Sequence, residues 1–257
     1  MRMRSTPTGH VQMATRIVDS LLPDGSKPRK TSYIELEPLC KSLGVSDVSS
    51  ARMNVEGFLA NTPRGLIIRF NEGSSEARRR FTIAHELGHI LLAKFQGHAV
   101  EDRRRSDGYS SHEESLVDAI AAELLTPTAE VYDLLARSQS HWRAVARISQ
   151  KFNVSWTAAV RRLLNMPQVI GLWARANRAS PESLVLWRAP RVSTLCCGGN
   201  HLWKRFYWEP RDGFMDHVPI LCEGKSNRVW VSCEMRVMTY MKSQDRFWVL
   251  GWEFEDT

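Results

Sequence analysis

The sequence lacks any apolar run long enough to cross a membrane. Its longest strongly apolar stretches span four or five residues, as in Ile90 to Ala93, whereas a membrane-spanning helix needs about 20. Near the N-terminus, the stretch from Val11 to Leu22 is interrupted by polar residues such as Arg16 and Asp19, so it does not have the uninterrupted apolar core of a secretory signal. We therefore predict no membrane contact, no export and a cytoplasmic location.

Cysteine is also scarce, with five residues, an odd number, and no Cys-x-x-Cys spacing. An oxidising compartment favours a paired set, so we predict reduced thiols. A second metal site is one interpretation of the C-terminal cysteines and the histidine among them. Buried small side chains in a β-rich region are the alternative, which we favour. These residues are Cys196, Cys197, His201, Cys222 and Cys233.

The net charge of +7 is compatible with an acidic partner or nucleic acid. The basic clusters, such as Arg78–Arg80 and Arg103–Arg105, are scattered between predicted elements and interleaved with acids. Such clusters are typical of solvated surfaces. The helices predicted between Ser140 and Leu164 are a candidate DNA-binding pair, but their many apolar positions leave few side chains for base contacts. We therefore predict no direct nucleic-acid binding.

The chain divides into four segments by composition. Residues 1–32 form a basic, Pro- and Ser-containing segment that we interpret as flexible. Residues 33–137 carry helical patterns and one predicted hairpin, and residues 138–167 form a helix-turn-helix-like extension. Residues 168–257 hold seven of the nine tryptophans in short β-branched and aromatic runs, which predict a separate β-rich domain. The fold class is therefore α+β.

Two helices dominate the second segment. Ser74 or Ser75 is a plausible N-cap for a long helix that ends at Gly97. A second helix begins near His112 and is closed by Pro127. Two strands, from Val55 to Ala60 and from Leu66 to Phe70, precede them as a hairpin, and a short helix is predicted from Ile34 to Leu43.

The long helix carries the sequence His85-Glu86-Leu87-Gly88-His89. Positions four apart share one face of a helix, so His85 and His89 can direct imidazole nitrogens at one zinc ion. Glu86, next to the first ligand, can take a proton from a water at an open coordination position. These residues predict a zinc site with Glu86 as the general base of peptide hydrolysis.

A third ligand must come from another element, because two ligands do not hold zinc firmly. Glu114 and Asp118 lie four apart on the second predicted helix and share a face. If Glu114 binds zinc, Asp118 can accept a hydrogen bond from a ligand histidine and fix its orientation. The alternative for Glu114 is a solvated acid at a helix start. Glu123 falls on another face of this helix and is predicted to be structural or exposed. Gly88 is costly in a helix interior, and a close approach of the second helix would explain why a glycine stands there.

These motifs resemble the ImmA/IrrE family of zinc metallopeptidases. The resemblance is carried by residues 80–92, by Glu114 and by residues 121–127, in this order. It implies a mostly helical, zincin-like catalytic domain with a small sheet over residues 33–137. By position, it implies that His85, His89 and Glu114 bind zinc, that Glu86 is the catalytic base, and that Asp118 falls where the family has Asn or Asp.

Members of this family cleave helix-turn-helix repressors and thereby derepress mobile-element or stress-response genes. Few residues precede the first predicted helix, so the resemblance implies a repressor on a separate chain as the substrate. The β-rich segment stands where one branch of the family has a GAF-like sensor domain. The alternative is a zinc-bound regulator that binds a partner without cutting it, but the intact Glu86 favours the endopeptidase. The oxyanion-stabilising group is left open among Tyr109, Tyr132 and His141.

Overall fold

A computed structural model of the protein describes residues 7–22, 35–100, 111–138 and 141–166, together with seven strands between residues 171 and 252. The chain forms two compact units. One comprises Met1–Arg137 with Ala146–Ala159, and the other comprises Ser138–Val145 with Val160–Thr257. The interpretation of residues 23–34 as flexible lies outside the described residues.

The first helix, α1 (Pro7–Leu21), begins inside the segment that we interpreted as flexible. That interpretation was wrong for these residues. Apolar side chains recur at helical spacing and are buried, and the polar residues between them form the exposed face, so the interruptions mark an amphipathic helix. The buried side chains of this stretch are Val11, Ala14, Ile17, Val18 and Leu22. Among the described helices, none has the length and apolar content to span a membrane.

A small sheet follows α2 (Leu36–Ser42) and consists of β1 (Val45–Ala51), β2 (Gly57–Thr62) and β3 (Gly65–Asn71). The strand order is β1-β3-β2, with β2 antiparallel and β1 parallel to the central β3. The predicted hairpin is confirmed as β2–β3. Strand β1 was not predicted, because its serines and aspartate have low strand propensity and obscure the alternation.

The long helix α3 (Glu76–Gln96) begins and ends where its caps predict. The Ser75 hydroxyl accepts a hydrogen bond from the Arg78 backbone N–H at 3.4 Å. At the other end, Gly97 adopts a left-handed conformation with φ of 72°, which glycine reaches without steric cost. The helix that carries both histidines is therefore fixed in length and register by its own sequence.

Helix α4 (Ser111–Leu125) packs against α3 at Gly88. A Cβ atom at position 88 would lie 3.1 Å from both the Cγ1 atom and the carbonyl oxygen of Val117. The predicted close approach of the two helices is thus confirmed. Around it lies a core of fully buried aliphatic side chains, each of which stabilises the fold by about 1.5–3 kcal/mol. These are Leu87, Ile90, Leu91, Val117, Ile120 and Leu124.

Three shorter helices complete the described helical part, namely α5 (Thr128–Ala136), α6 (His141–Phe152) and α7 (Trp156–Leu164). Glu123 is buried and accepts hydrogen bonds from the backbone N–H of Thr128 at 2.9 Å and from its hydroxyl at 2.5 Å. It is therefore structural, because it caps the start of α5. Ser155 accepts a hydrogen bond from the Ala158 backbone N–H at 3.1 Å and caps α7.

The fold-class prediction is confirmed for the N-terminal part, which is mostly helical with one three-stranded sheet. In the second unit, the described strands form an antiparallel sheet in the order β8-β7-β6-β5-β4-β10-β9. The GAF-like interpretation of this segment stays a prediction, and Cys196, Cys197 and His201 lie outside the described residues. The strands are β4 (Gly171–Asn177), β5 (Ser180–Arg188), β6 (Leu202–Tyr207), β7 (His217–Glu223), β8 (Arg228–Glu234), β9 (Arg236–Ser243) and β10 (Arg246–Trp252).

Cys40 of α2 is buried and not in a disulfide. Burial raises the pKa of its thiol to about 11. Because only the thiolate reacts with alkylating agents, we expect iodoacetamide at neutral pH to leave Cys40 unmodified in the native protein and to modify it in urea. Peptide mapping by mass spectrometry checks both states. Equal rates of modification would show that α2 does not protect this thiol.

Candidate metal centre

The histidines of α3 converge as their four-residue spacing predicts. The Nε2 atoms of His85 and His89 lie 3.2 Å apart, with ring centroids separated by 4.9 Å and the rings nearly perpendicular. His89 is buried, and the His85 side chain retains 17% of its exposure. One imidazole is therefore held in the core, while the other borders the protein surface.

Glu114 of α4 reaches both histidines. Its Oε2 atom lies 3.3 Å from Nε2 of His85, and its Oε1 atom lies 3.8 Å from Nε2 of His89. Together these three residues offer ligand atoms within 4.8 Å of one another. Two atoms bound tetrahedrally to one zinc ion lie about 3.3 Å apart, so the observed spacing of the donors fits the ion. Two imidazoles and one carboxylate with an open fourth position are the ligand set of catalytic zinc sites.

Asp118 lies one turn beyond Glu114 on α4. Its Oδ1 atom accepts a hydrogen bond from the Nδ1–H of His85 at 2.9 Å. A proton on Nδ1 leaves the lone pair on Nε2, the atom that faces His89 and Glu114. The contact therefore sets the tautomer that metal binding requires.

Glu86 is also buried, with 3% of its surface exposed. It follows His85 directly on α3 and thus remains within the same turn of the helix. The structure brings together His85, His89, Glu114 and Asp118, and it keeps the Glu86 carboxylate away from bulk solvent. The role of Glu86 as general base stays a prediction.

The oxyanion-stabilising group remains undecided. Tyr109 lies outside the described residues, and the side chain of His141 is not described. Tyr132 is in α5 with 37% of its surface exposed.

Sequence reasoning missed a second pair of histidines, His10 and His112, whose rings meet at the contact of α1 with α4. Their separation along the chain gave no signal for this contact.

Two arginines of the basic cluster at the start of α3 have an acidic or an aromatic partner. Arg78 pairs with Glu56 at 3.5 Å, and the Arg79 guanidinium lies 5.6 Å from the centroid of the Phe70 ring. Such pairs are typical of a solvated protein surface. For Arg78 and Arg79 these contacts agree with the interpretation of a solvated face. Arg80 is instead buried, with 6% of its surface exposed, so that interpretation was wrong for this residue.

The site combines two histidines one helical turn apart, a glutamate that follows the first of them in the sequence, and a carboxylate from the next helix. This combination is typical of metallopeptidase domains. Residues 40–164 match the family model described as the IrrE N-terminal-like domain, a peptidase family. Over these residues, the resemblance drawn from the motifs is therefore confirmed.

Two curated relatives are radiation response metalloproteases IrrE. The protein of Deinococcus radiodurans is 28% identical over 127 residues, which are 46% of this chain and 37% of the relative. The protein of Deinococcus deserti is 33% identical over 130 residues, which are 48% of this chain and 40% of the relative. The match thus spans about two fifths of the length of each relative.

Among solved structures, a Mycobacterium tuberculosis transcriptional regulator is similar with a TM-score of 0.47 and 14% identity, over 95% of this chain and 88% of that one. A TM-score of 0.47 does not establish a shared fold.

Replacing Asp118 with alanine tests its role in positioning His85. Alanine removes the acceptor of the Nδ1–H bond, so His85 loses the contact that fixes its orientation. Loss of such a contact typically lowers metal affinity about 10–100-fold. We expect a drop of this size in zinc competition against a chromophoric chelator. The control is Asp133→Ala, which removes an exposed acid paired with Arg137 on α5. Equal zinc affinity in both variants would show that Asp118 does not position the ligand.

Proposed function

We propose that the protein is a zinc-dependent endopeptidase that cleaves a separate helix-turn-helix transcriptional repressor and thereby derepresses genes. One observation supports the chemistry above all others. Within a matched peptidase domain, donor atoms of His85, His89 and Glu114 converge to within 4.8 Å, beside the buried Glu86. A domain that only binds a partner has no need of this arrangement.

The chain's own residues divide the work of hydrolysis. His85, His89 and Glu114 would hold the ion, and Asp118 would keep His85 in the tautomer that exposes Nε2 to it. Zinc, when bound, supplies Lewis acidity that lowers the pKa of water and polarises a carbonyl. Glu86 would accept the proton of the attacking water and pass it to the leaving amine. Burial of Glu86 keeps that carboxylate from exchanging protons freely with bulk solvent.

The substrate class rests on the family rather than on the site. The two relatives are named as radiation response metalloproteases, and the family's repressor substrates suggest that this chain takes part in a stress response. The peptidase must share a compartment with such a repressor, so the proposal includes a cytoplasmic location. The segment 168–257 is proposed, by analogy of position, as a sensor domain that controls the activity.

The test is to incubate the full chain and zinc with small repressors encoded beside its gene, and to map new termini by mass spectrometry. We expect a single internal cleavage that separates the DNA-binding helices from the rest of the repressor. A stable complex with an intact repressor would instead favour the alternative, a zinc-bound regulator without proteolysis. Failure of every neighbouring repressor to bind or be cut would overturn the proposed substrate class.

A further inference from the structure

A second pair of histidines lies outside the metal centre, where α1 meets the start of α4. The Nε2 atom of His10 is 3.2 Å from the Nδ1 atom of His112. The ring centroids are 4.6 Å apart and the rings are tilted by 58°. His112 is exposed and His10 is partly exposed, so solutes can reach both imidazoles.

The separation of these nitrogens equals that of the two histidines in the metal centre, which is also 3.2 Å. It matches the separation of about 3.3 Å between two ligands of one tetrahedral zinc ion. Burial, and secondarily the neighbouring His112, lower the pKa of His10. A lowered pKa favours the neutral imidazole, which is the form that binds metal.

The pair is held in place by helix packing rather than by local sequence. Helix α1 buries its apolar face, including Ala14 and Ile17. Thr15 also contacts Thr128 at 3.4 Å between hydroxyl oxygens, which connects α1 to the start of α5. The two imidazoles therefore do not have to be brought together when an ion binds, which lowers the entropic cost of binding.

The pair is also distinct from the metal centre. His112 and Glu114 are two residues apart on α4, so they point about 200° apart around the helix. Among the described residues, only His85, His89 and Glu114 form a group of three potential ligands. From the described residues, the histidine pair would thus supply two ligands to an ion.

We propose that His10 and His112 form a second, weaker binding site for a zinc-like divalent ion, which links α1 to the helix that carries Glu114. Imidazole pairs suit zinc, copper and nickel rather than magnesium or calcium. An ion at this position stabilises the packing of α1 on α4. The peptidase domain would then respond to zinc above the amount that fills its catalytic centre.

Zinc titration of the full chain by calorimetry tests this site. We expect His10→Gln and His112→Gln each to bind one zinc ion fewer per chain than the wild type. The ion that is lost should be one that the wild type binds weakly. The control is His98→Gln, which changes an exposed histidine after α3 and should match the wild type. His85→Gln should lose the tight equivalent and keep the weak one, so the two sites fail independently.

Thermal unfolding provides a second readout that does not depend on activity. Zinc added beyond the tight equivalent should raise the Tm of the wild type, because it binds the folded state, and should raise it less in both glutamine variants. Wild-type stoichiometry in His10→Gln and His112→Gln would overturn the proposal. Any weakly bound zinc would then be held by other residues, because each variant lacks one of the two proposed histidine ligands.

Discussion

Replacing Glu86 with glutamine should leave zinc bound and lower the rate of repressor cleavage by about 10²–10⁴-fold, the usual contribution of a general base. Glutamine has nearly the same size, so the buried position on α3 can accept it. It cannot take a proton from water, however. The ligands His85, His89 and Glu114 are unchanged, and their donor atoms remain within 4.8 Å of one another. Metal binding and chemistry should therefore separate in this variant.

The measurements are zinc content by mass spectrometry of the native protein and cleavage rate of the repressor. Glu72→Gln is the matched control, because it makes the same replacement at an exposed acid that pairs with Arg52. It should cleave like the wild type. If Glu86→Gln retained full cleavage, another group would have to be the base. If it retained full biological activity without cleavage, the protein would act by binding.

Replacing Gly88 with leucine should lower both the free energy of unfolding and the affinity for zinc. A single Cβ already comes within 3.1 Å of the Val117 side chain and 3.1 Å of its carbonyl oxygen. Leucine adds three more carbons at this contact, so α4 must move away. Overpacking of this kind typically costs about 1–3 kcal/mol of unfolding free energy. Because α4 also carries Glu114, its displacement should weaken zinc binding as well.

Urea unfolding and zinc competition measure the two effects. Gln96→Leu is the control, since it places leucine at an exposed position of the same helix. Gly88→Ala provides a graded step, because alanine gains about 0.5–1 kcal/mol of helix propensity against the same tight contact. We expect it to lie between the wild type and Gly88→Leu in zinc affinity. Wild-type stability and zinc affinity in Gly88→Leu would mean that the helices do not approach closely there.

The sequence was sufficient to predict the elements whose signals are local. Helix α3 has a serine N-cap, a terminal glycine and histidines four residues apart. From these residues and the geometry of a helix, its start, its end and the shared face of the histidines could be predicted. Asp118 could be placed near His85 only on the assumption that Glu114 is a ligand. Once α3 and α4 pack as predicted, the four-residue spacing from Glu114 leads to the observed 2.9 Å contact.

Features that depend on tertiary contacts could not be predicted in the same way. The polar residues of α1 resemble interruptions until the burial of Ile17 and Val18 shows that they form one face of a helix. Strand β1 is stabilised by its pairing with β3, although its own residues have weak strand propensity. The contact of His10 with His112 joins residues 102 positions apart, and no local spacing encodes it.

Reversible removal of the metal tests the peptidase assignment most directly. The full chain is treated with a zinc chelator, dialysed and mixed with the neighbouring repressor, and fragments are followed by mass spectrometry. We expect no cleavage by the metal-free protein, recovery on adding one equivalent of zinc, and no recovery with magnesium. Cleavage at the original rate without metal would contradict the assignment of His85, His89 and Glu114 as the catalytic zinc ligands.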